Sequence, residues 1–283
     1  MKSLVNDFIR EKICFYSPLP WANSYMELMK EASKIGLRGV ELLNYGELST
    51  PDMAAARELG KYAKENGLLI PCCSVGMNLV GDDRAEKIAD IKKYAEICSE
   101  LEIPYLHHTV AFGLKKRPIE EVELAFNRGV EATLEIAEYA NKLGVKTVLE
   151  DQGFVVNGVE NYGRFRRASG NVFDVLLDVG NIYFVDETAG AFAESFATDI
   201  VHTHVKEYHY TKNEPDGGAQ YTTFEGNYLT NAIAGEGDVD YGRVKTALKD
   251  VNYKGVYSME YTLKNTDELN RTFEYLASVF GDM

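Results

Sequence analysis

The 283-residue chain is 45% hydrophobic and 26% charged, and 44 acidic against 30 basic side chains leave a formal net charge of −14. That balance repels the phosphate backbone of a nucleic-acid partner, which basic residues must neutralise. No apolar run approaches the roughly 20 residues that span a bilayer, and the N-terminus "MKSLVNDFIREKICFYS" lacks the basic segment and apolar stretch of a secretory signal.

In chain order the pattern predicts strand 13–17 followed by helix 25–35, strand 40–44 by helix 52–65, and strand 69–74 by helix 84–100. Strand 105–110 is followed by helix 119–143, and strand 147–151 by at most a short helix near 159–168. Strand 175–179 then leads to helix 189–196, strand 201–206 to helix 241–251, and strand 256–261 to helix 266–280. Three handoffs share one form: "EASKIGLRGVELL", "KYAKENGLLIPCC" and "EYANKLGVKTVLE" each end a helix on Gly36, Gly67 or Gly144, which supply the left-handed closing conformation cheaply. Pro104 plays the stop in "CSELEIPYLHHTV". Pro118 suits a first helical position, and Ile119, Val122, Phe126, Val130, Thr133, Ala137 and Ala140 follow at spacings of three and four, one face for a sheet. The four cysteines, Cys14, Cys72, Cys73 and Cys98, lie in apolar runs without metal-type spacing and read as reduced core thiols, which points to the cytoplasm.

Strands alternating with helices imply parallel strands with helical crossovers. Eight of them in this length predict a single (β/α)8 TIM barrel over residues 1–283. An open doubly wound sheet is the competing arrangement, but no strand is followed by GxGxxG and no Gly-rich loop ends in Lys-Ser/Thr.

In such a barrel the carboxyl ends of the strands carry the active site. "TVLED" delivers Glu150 there, "VLLDVGN" Asp178 and Asn181, "IVHTHVKE" His204, and "VYSMEY" Glu260. Three carboxylates crowded on one rim repel one another unless a cation joins them. Three oxygen ligands and one imidazole suit one divalent ion, with Mn2+ the leading candidate and Mg2+, Co2+ or Zn2+ as alternatives. Alternation on the strand points His202, His204 and Lys206 the same way. His204 is then the ligand, His202 a deeper residue, and Lys206 a cation placed to meet a substrate oxyanion or phosphate. His209 falls in the following loop. His107 and His108 face opposite ways, and His108 is the one expected to touch substrate. Trp21 in "PLPWANS" is a candidate to stack on a sugar face. Glu236 in "GEGDVDY" is a candidate at the site's edge, beside a helix cap at Asp238 or Asp240. Glu41 in "GVELL" reads as architectural, and "LKKRP" (Lys115, Lys116, Arg117) as a solvated helix start. The long segment 208–235 reads as a lid or a subunit contact, the latter allowing a homo-oligomer.

"GVELL", "VLEDQG", "LLDVGN", "HTHVKE", "GEGDVDY" and "SMEY" occur in the order found in the sugar isomerase/epimerase superfamily, the xylose isomerase-like barrels, and the resemblance runs from about residue 12 to the end. It implies that Glu150, Asp178, His204 and Glu260 hold a metal, and that Glu150 and Glu260 are the acid/base pair of an epimerase. The chain departs from the ketose 3-epimerases at Asn181, Tyr210 and Val156, where they carry a histidine, an arginine and a glutamate. The implied activity is metal-dependent isomerisation or epimerisation of a sugar, a sugar phosphate or a polyol-derived substrate, by α-proton abstraction through an enediolate. A dehydratase of the inosose or dehydroshikimate type and a catalytic subunit of a C-glycoside-cleaving complex share the barrel. An endonuclease IV-like nuclease and a non-enzymatic sugar-binding protein fit the composition less well.

Overall fold

A computed structural model describes residues 5–113 and 115–283. A short helix, α1 (Asp7–Lys12), leads into β1 (Ile13–Phe15), α2 (Tyr25–Ile35), the strand pair β2 (Gly39–Val40) and β3 (Leu42–Leu43), α3 (Met53–Glu65), β4 (Cys72–Val75), α4 (Arg84–Glu100) and β5 (Tyr105–His108). There follow α5 (Ile119–Lys142), β6 (Lys146–Glu150), α6 (Val159–Ala168), β7 (Asp174–Asp178), α7 (Ala189–Phe196) and β8 (Ile200–Val205). The short strands β9 (Tyr208–Thr211), β10 (Tyr221–Thr222) and β11 (Tyr228–Asn231) precede α8 (Tyr241–Asp250), β12 (Tyr257–Met259) and α9 (Thr266–Phe280).

The parallel sheet runs β2-β1-β12-β8-β7-β6-β5-β4-β3, so the two halves of one interrupted strand stand at its two ends. Glu41 alone joins those halves, and its N–H reaches Phe15 O at 2.8 Å. The sheet therefore closes on itself, giving the expected barrel with helices outside. Helices α2, α4, α6, α7 and α9 fall on the bounds read from the sequence. Their ends explain why. Ser24 Oγ accepts from Glu27 N at 3.2 Å while Glu27 Oε2 accepts from Asn23 N at 2.8 Å, a reciprocal cap. Gly36, at φ 91°, closes the same helix in the left-handed region.

The structure corrects three expectations. Pro118 caps α5 from outside rather than occupying its first turn. The third strand is interrupted: Leu69 makes an isolated parallel bridge to Gly39, and regular pairing begins only at Cys72, past Pro71, which has no N–H for the ladder. The segment read as one long loop, a lid or a subunit contact, carries the three-stranded antiparallel sheet β10-β11-β9. It is tied to the loop after β7 by Phe224 N to Phe184 O at 2.8 Å and by Tyr210 Oη and Asn227 Nδ2 donating to Asp186 Oδ1 at 3.0 and 2.9 Å.

Side chains two apart share a face of a strand, so Val148 and Leu176 lie directly below Glu150 and Asp178. They pack with Cys72 as a small apolar layer, a dry floor under the carboxyl-end rim. All four cysteines are buried and free. Among the described residues no helix is long and apolar enough to cross a membrane.

Gly39 sets how closely the interrupted strand approaches β1, since a Cβ there would stand 2.0 Å from Cys14 Sγ. Gly39→Ala is expected to cost about 1–3 kcal/mol and to lower the calorimetric unfolding midpoint by several degrees. Gly242→Ala, whose added Cβ meets only Asp240 Oδ1 at 3.8 Å, is expected to leave the midpoint unchanged or slightly higher. A Gly39→Ala protein as stable as the parent would show that this contact is not tight.

Candidate metal centre

Four adjacent strands bring their end residues together. Glu150 closes β6, Asp178 closes β7, His204 sits in β8 opposite Asp178 and Ser258, and Glu260 follows β12 with its N–H on Val205 O at 2.9 Å. One ligand atom from each of Glu150, Asp178, His204 and Glu260 lies within 4.8 Å of all the others.

The atoms that converge are the ones left without partners. Glu150 Oε2, Asp178 Oδ2, His204 Nδ1 and Glu260 Oε2 are all buried with no hydrogen-bond partner. Their far sides, by contrast, are engaged. Asp178 Oδ1 accepts from Gly180 N and Asn181 N at 2.7 and 2.8 Å, and His204 Nε2 lies 3.1 Å from Glu41 Oε1. His204 Nδ1 approaches Glu260 Oε2 at 2.8 Å and Glu150 Oε2 at 3.4 Å, close but without hydrogen-bond geometry. Buried polar atoms left unpaired are costly, and here three oxygens and one imidazole nitrogen point at one spot. That donor set fits a divalent cation.

Electrostatics agree. Burial pushes the Glu150 carboxyl up to about 7, with repulsion from Glu260 and Asp178 adding to it. Burial alone would also raise Glu260, but Lys206 and His204 hold it down to about 2. Asp178 is raised, chiefly by burial. His204 lies well above the ordinary imidazole value because Glu41, Glu150 and Glu260 outweigh the effect of burial. Lys206, expected above the site, reaches into it. Its Nζ lies 3.0 Å from Asp178 Oδ2, 2.7 Å from Glu260 Oε1 and 3.0 Å from Asn181 Oδ1. Asn181 is thus a brace for Lys206, and its own Nδ2 is buried and unpartnered.

Other candidates are placed less as expected. His107, not His108, faces the cluster. Its Nε2 stands 3.7 Å from Glu150 Oε1, and its ring meets the His204 ring edge-on at 5.7 Å. His108 is buried on the opposite face, with Nδ1 3.2 Å from Thr109 O. The alternation was legible, but which face was inward depended on a register the sequence does not print. Trp21, 37% exposed, is not among the residues lining the cleft that opens outward from Lys206 and Glu260. Glu236 does line that cleft, paired to Arg271, while Asp240 is the cap of α8. His209, in β9 rather than a loop, is exposed at the cleft wall. Lys116 pairs with Glu225 at 2.6 Å and Arg117 with Glu121 at 3.4 Å, both on the surface.

Four residues were missed as parts of the site. Glu41 joins His202 and His204, with Oε2 2.7 Å from His202 Nε2, and these imidazoles outweigh burial to hold its carboxyl well below the usual range. His107 bonds Ser74 Oγ at 2.9 Å. Tyr16 lies against the His204 ring, centroid to centroid 4.6 Å. Asp151 accepts from Asp178 N at 3.3 Å.

Residues 29–279 match the family described as xylose isomerase-like TIM barrel. The chain is 24% identical over 261 residues to D-psicose 3-epimerase of Agrobacterium fabrum (strain C58), an alignment covering 86% of this chain and 81% of that protein. The fold is similar to a crystal structure of D-psicose 3-epimerase determined in the presence of D-fructose, with TM-score 0.73 at 18% identity over 95% of this chain and 99% of that one. It is also similar to the IolI protein with a bound zinc atom, with TM-score 0.72 at 19% identity over 96% and 98% of the two chains.

Asp151 offers a test of the crowding. Burial, then Asp178 and Glu150, raise its carboxyl well above the ordinary value. A raised acid binds its proton more tightly folded than unfolded, so its contribution to stability falls as pH climbs from about 4 toward the raised value. Asp151→Asn removes that penalty while keeping shape. In chelator-treated protein it is expected to raise the unfolding midpoint, more at pH 8 than at pH 5. A lower midpoint than the parent at pH 8 would show that Asp151 is comfortably ionised.

Proposed function

This chain belongs to the xylose isomerase-like TIM-barrel family, and within it we propose a metal-dependent isomerase or epimerase of a sugar. The observation that carries this reading is the convergence of two carboxyls, Glu150 and Glu260, with Asp178 and His204 on one rim, each offering a ligand atom within 4.8 Å of the others. Lys206 and His204 hold Glu260 low and keep it ionised, while burial pushes Glu150 the other way. Paired carboxyls in unlike surroundings are how acid and base roles are divided.

Glu260, the ionised partner, takes the proton from the carbon beside the substrate carbonyl. Glu150 stands two strands away along the rim, beyond β7 and β8, and delivers a proton from the other direction. Return to the opposite face of the same carbon is epimerisation, and return to the neighbouring carbon is isomerisation. Lys206, charged and braced by Asn181, stands where negative charge grows on the substrate oxygen as the enediolate forms. Glu150, Asp178, His204 and Glu260 would hold a divalent ion, which when bound would supply positive charge to polarise the substrate carbonyl. Mn2+ leads among the candidates for these hard donors, with Mg2+, Co2+ and Zn2+ as alternatives.

The cleft supports a sugar-sized ligand. It encloses about 510 Å3 and is walled by Tyr16, Tyr208, Tyr221 and Tyr261, with Gln220 and Asn231 between them. Aromatic faces with interspersed amides suit a ring bearing hydroxyls.

The reading is tested by incubating ketoses, aldoses and keto-inositols with Mn2+-supplemented protein in deuterium oxide, with carbon-bound deuterium followed by mass spectrometry and NMR. One substrate is expected to gain a single deuterium at the carbon beside its carbonyl. Glu260→Gln and Glu150→Gln are each expected to cut that exchange by about 10² or more while retaining most of the metal. Exchange at the parent rate in both variants would overturn the two-carboxylate assignment.

A further inference from the structure

One buried carboxylate controls more of the rim than its place in the broken strand suggests. Glu41 is fully buried between β2 and β3, and three groups converge on it. Ser74 Oγ donates to Oε1 at 2.5 Å, His204 Nε2 lies 3.1 Å from the same oxygen, and His202 Nε2 lies 2.7 Å from Oε2. An ionised carboxylate only accepts hydrogen bonds, so every partner must bring the proton. His204 therefore carries hydrogen on Nε2. The Ser74 hydroxyl, having given its only hydrogen to Glu41, can only accept from its next neighbour. That neighbour is His107 Nδ1, at 2.9 Å, so His107 carries its hydrogen on Nδ1.

The opposite nitrogens are the ones aimed at the rim, where His107 Nε2 is left bare and His204 Nδ1 is the position at which a cation would replace a proton. His204 Nδ1 and His107 Nε2 are both buried without a hydrogen-bond partner. One lies among the three carboxylates, the other 3.7 Å from Glu150 Oε1. We propose that Glu41 is a positioning residue that fixes the tautomers of two imidazoles, His204 directly and His107 through Ser74, so that each turns a lone pair toward the site. His204 is thereby prepared as a neutral ligand, since an imidazole nitrogen binds a cation only when it carries no proton. His107 becomes an acceptor beside Glu150, where a substrate hydroxyl can be held without competing for the proton-transfer carboxyl. The His204 half of this proposal rests on the metal-centre reading, and the His107 half stands without it.

Nitrogen-15 NMR of histidine-labelled protein distinguishes the two neutral tautomers directly. In chelator-stripped parent protein, His107 is expected as the Nδ1–H tautomer, and Ser74→Ala is expected to release it to a mixture while changing Zn2+ affinity by less than about threefold. In Zn2+-loaded protein, His204 is expected with hydrogen on Nε2. Glu41→Gln, folded by circular dichroism, is expected to weaken Zn2+ binding by about 10- to 100-fold and to disturb both imidazole signals. His107 with hydrogen on Nε2, an unchanged His107 signal in Ser74→Ala, or Zn2+ affinity within twofold of the parent in Glu41→Gln would overturn the proposal. If Glu41→Gln does not fold, the parent tautomers decide. Parent protein that binds no Zn2+ would sink the metal reading, and the His107 tautomer would then decide this one.

Discussion

Three carboxylates meet around one imidazole at the top of a closed barrel, and among the groups facing them only Lys206 brings a fixed positive charge. Much of the surrounding architecture holds that unfavourable arrangement in place. The carboxyl ends of adjacent parallel strands bring ligand atoms of Glu150, Asp178, His204 and Glu260 within 4.8 Å of one another. The apolar layer of Cys72, Val148 and Leu176 keeps water from below. Backbone N–H groups of Gly180 and Asn181 fix one oxygen of Asp178 and turn the other toward the rim, where Lys206 meets it. Without a counter-charge the cluster compensates by holding protons, which is why Glu150, Asp178 and His204 all titrate above their ordinary ranges.

Much of this was legible in the sequence because it depends on short-range rules. Glycine after a helix and apolar spacing of three and four located the helices. Asking which polar residue ends each apolar run found the four convergent side chains, since a parallel barrel places all such ends on one rim. What escaped depended on register. Adjacent His107 and His108 look alike in sequence, and only the pairing of β5 with β4 and β6 decides which turns inward. Glu41 was read as architectural because its meaning lies in residues 33 and more than 160 positions away. The sheet formed by β9, β10 and β11 was detectable in principle, since "PDGG" and "FEGN" are turn signals between segments rich in tyrosine and threonine. Its length had suggested a lid instead.

The rim and the cleft divide the work between charge and shape. The rim sets proton affinities, raising Glu150 and lowering Glu260 although both are carboxyls on one rim. The cleft sets what can approach them, through tyrosines and amides contributed largely by the antiparallel sheet. That sheet is anchored on Asp186 rather than on the barrel strands, so the part of the molecule that shapes the cleft can vary without disturbing the part that holds charge. Departures at Asn181 and Tyr210 from the ketose 3-epimerase pattern lie on this boundary, where Asn181 braces Lys206 and Tyr210 donates to Asp186.

The central claim, that the rim is built around a cation, is tested most directly by calorimetric titration of chelator-stripped protein with Mn2+ at pH 7 in two buffers of different ionisation heat. The account predicts one ion per chain and the release of about one proton on binding, because His204 holds a proton that a cation must displace. It also predicts that Asp178→Asn weakens this binding at least tenfold. No saturable binding, or binding without proton release that Asp178→Asn leaves unchanged, would contradict it.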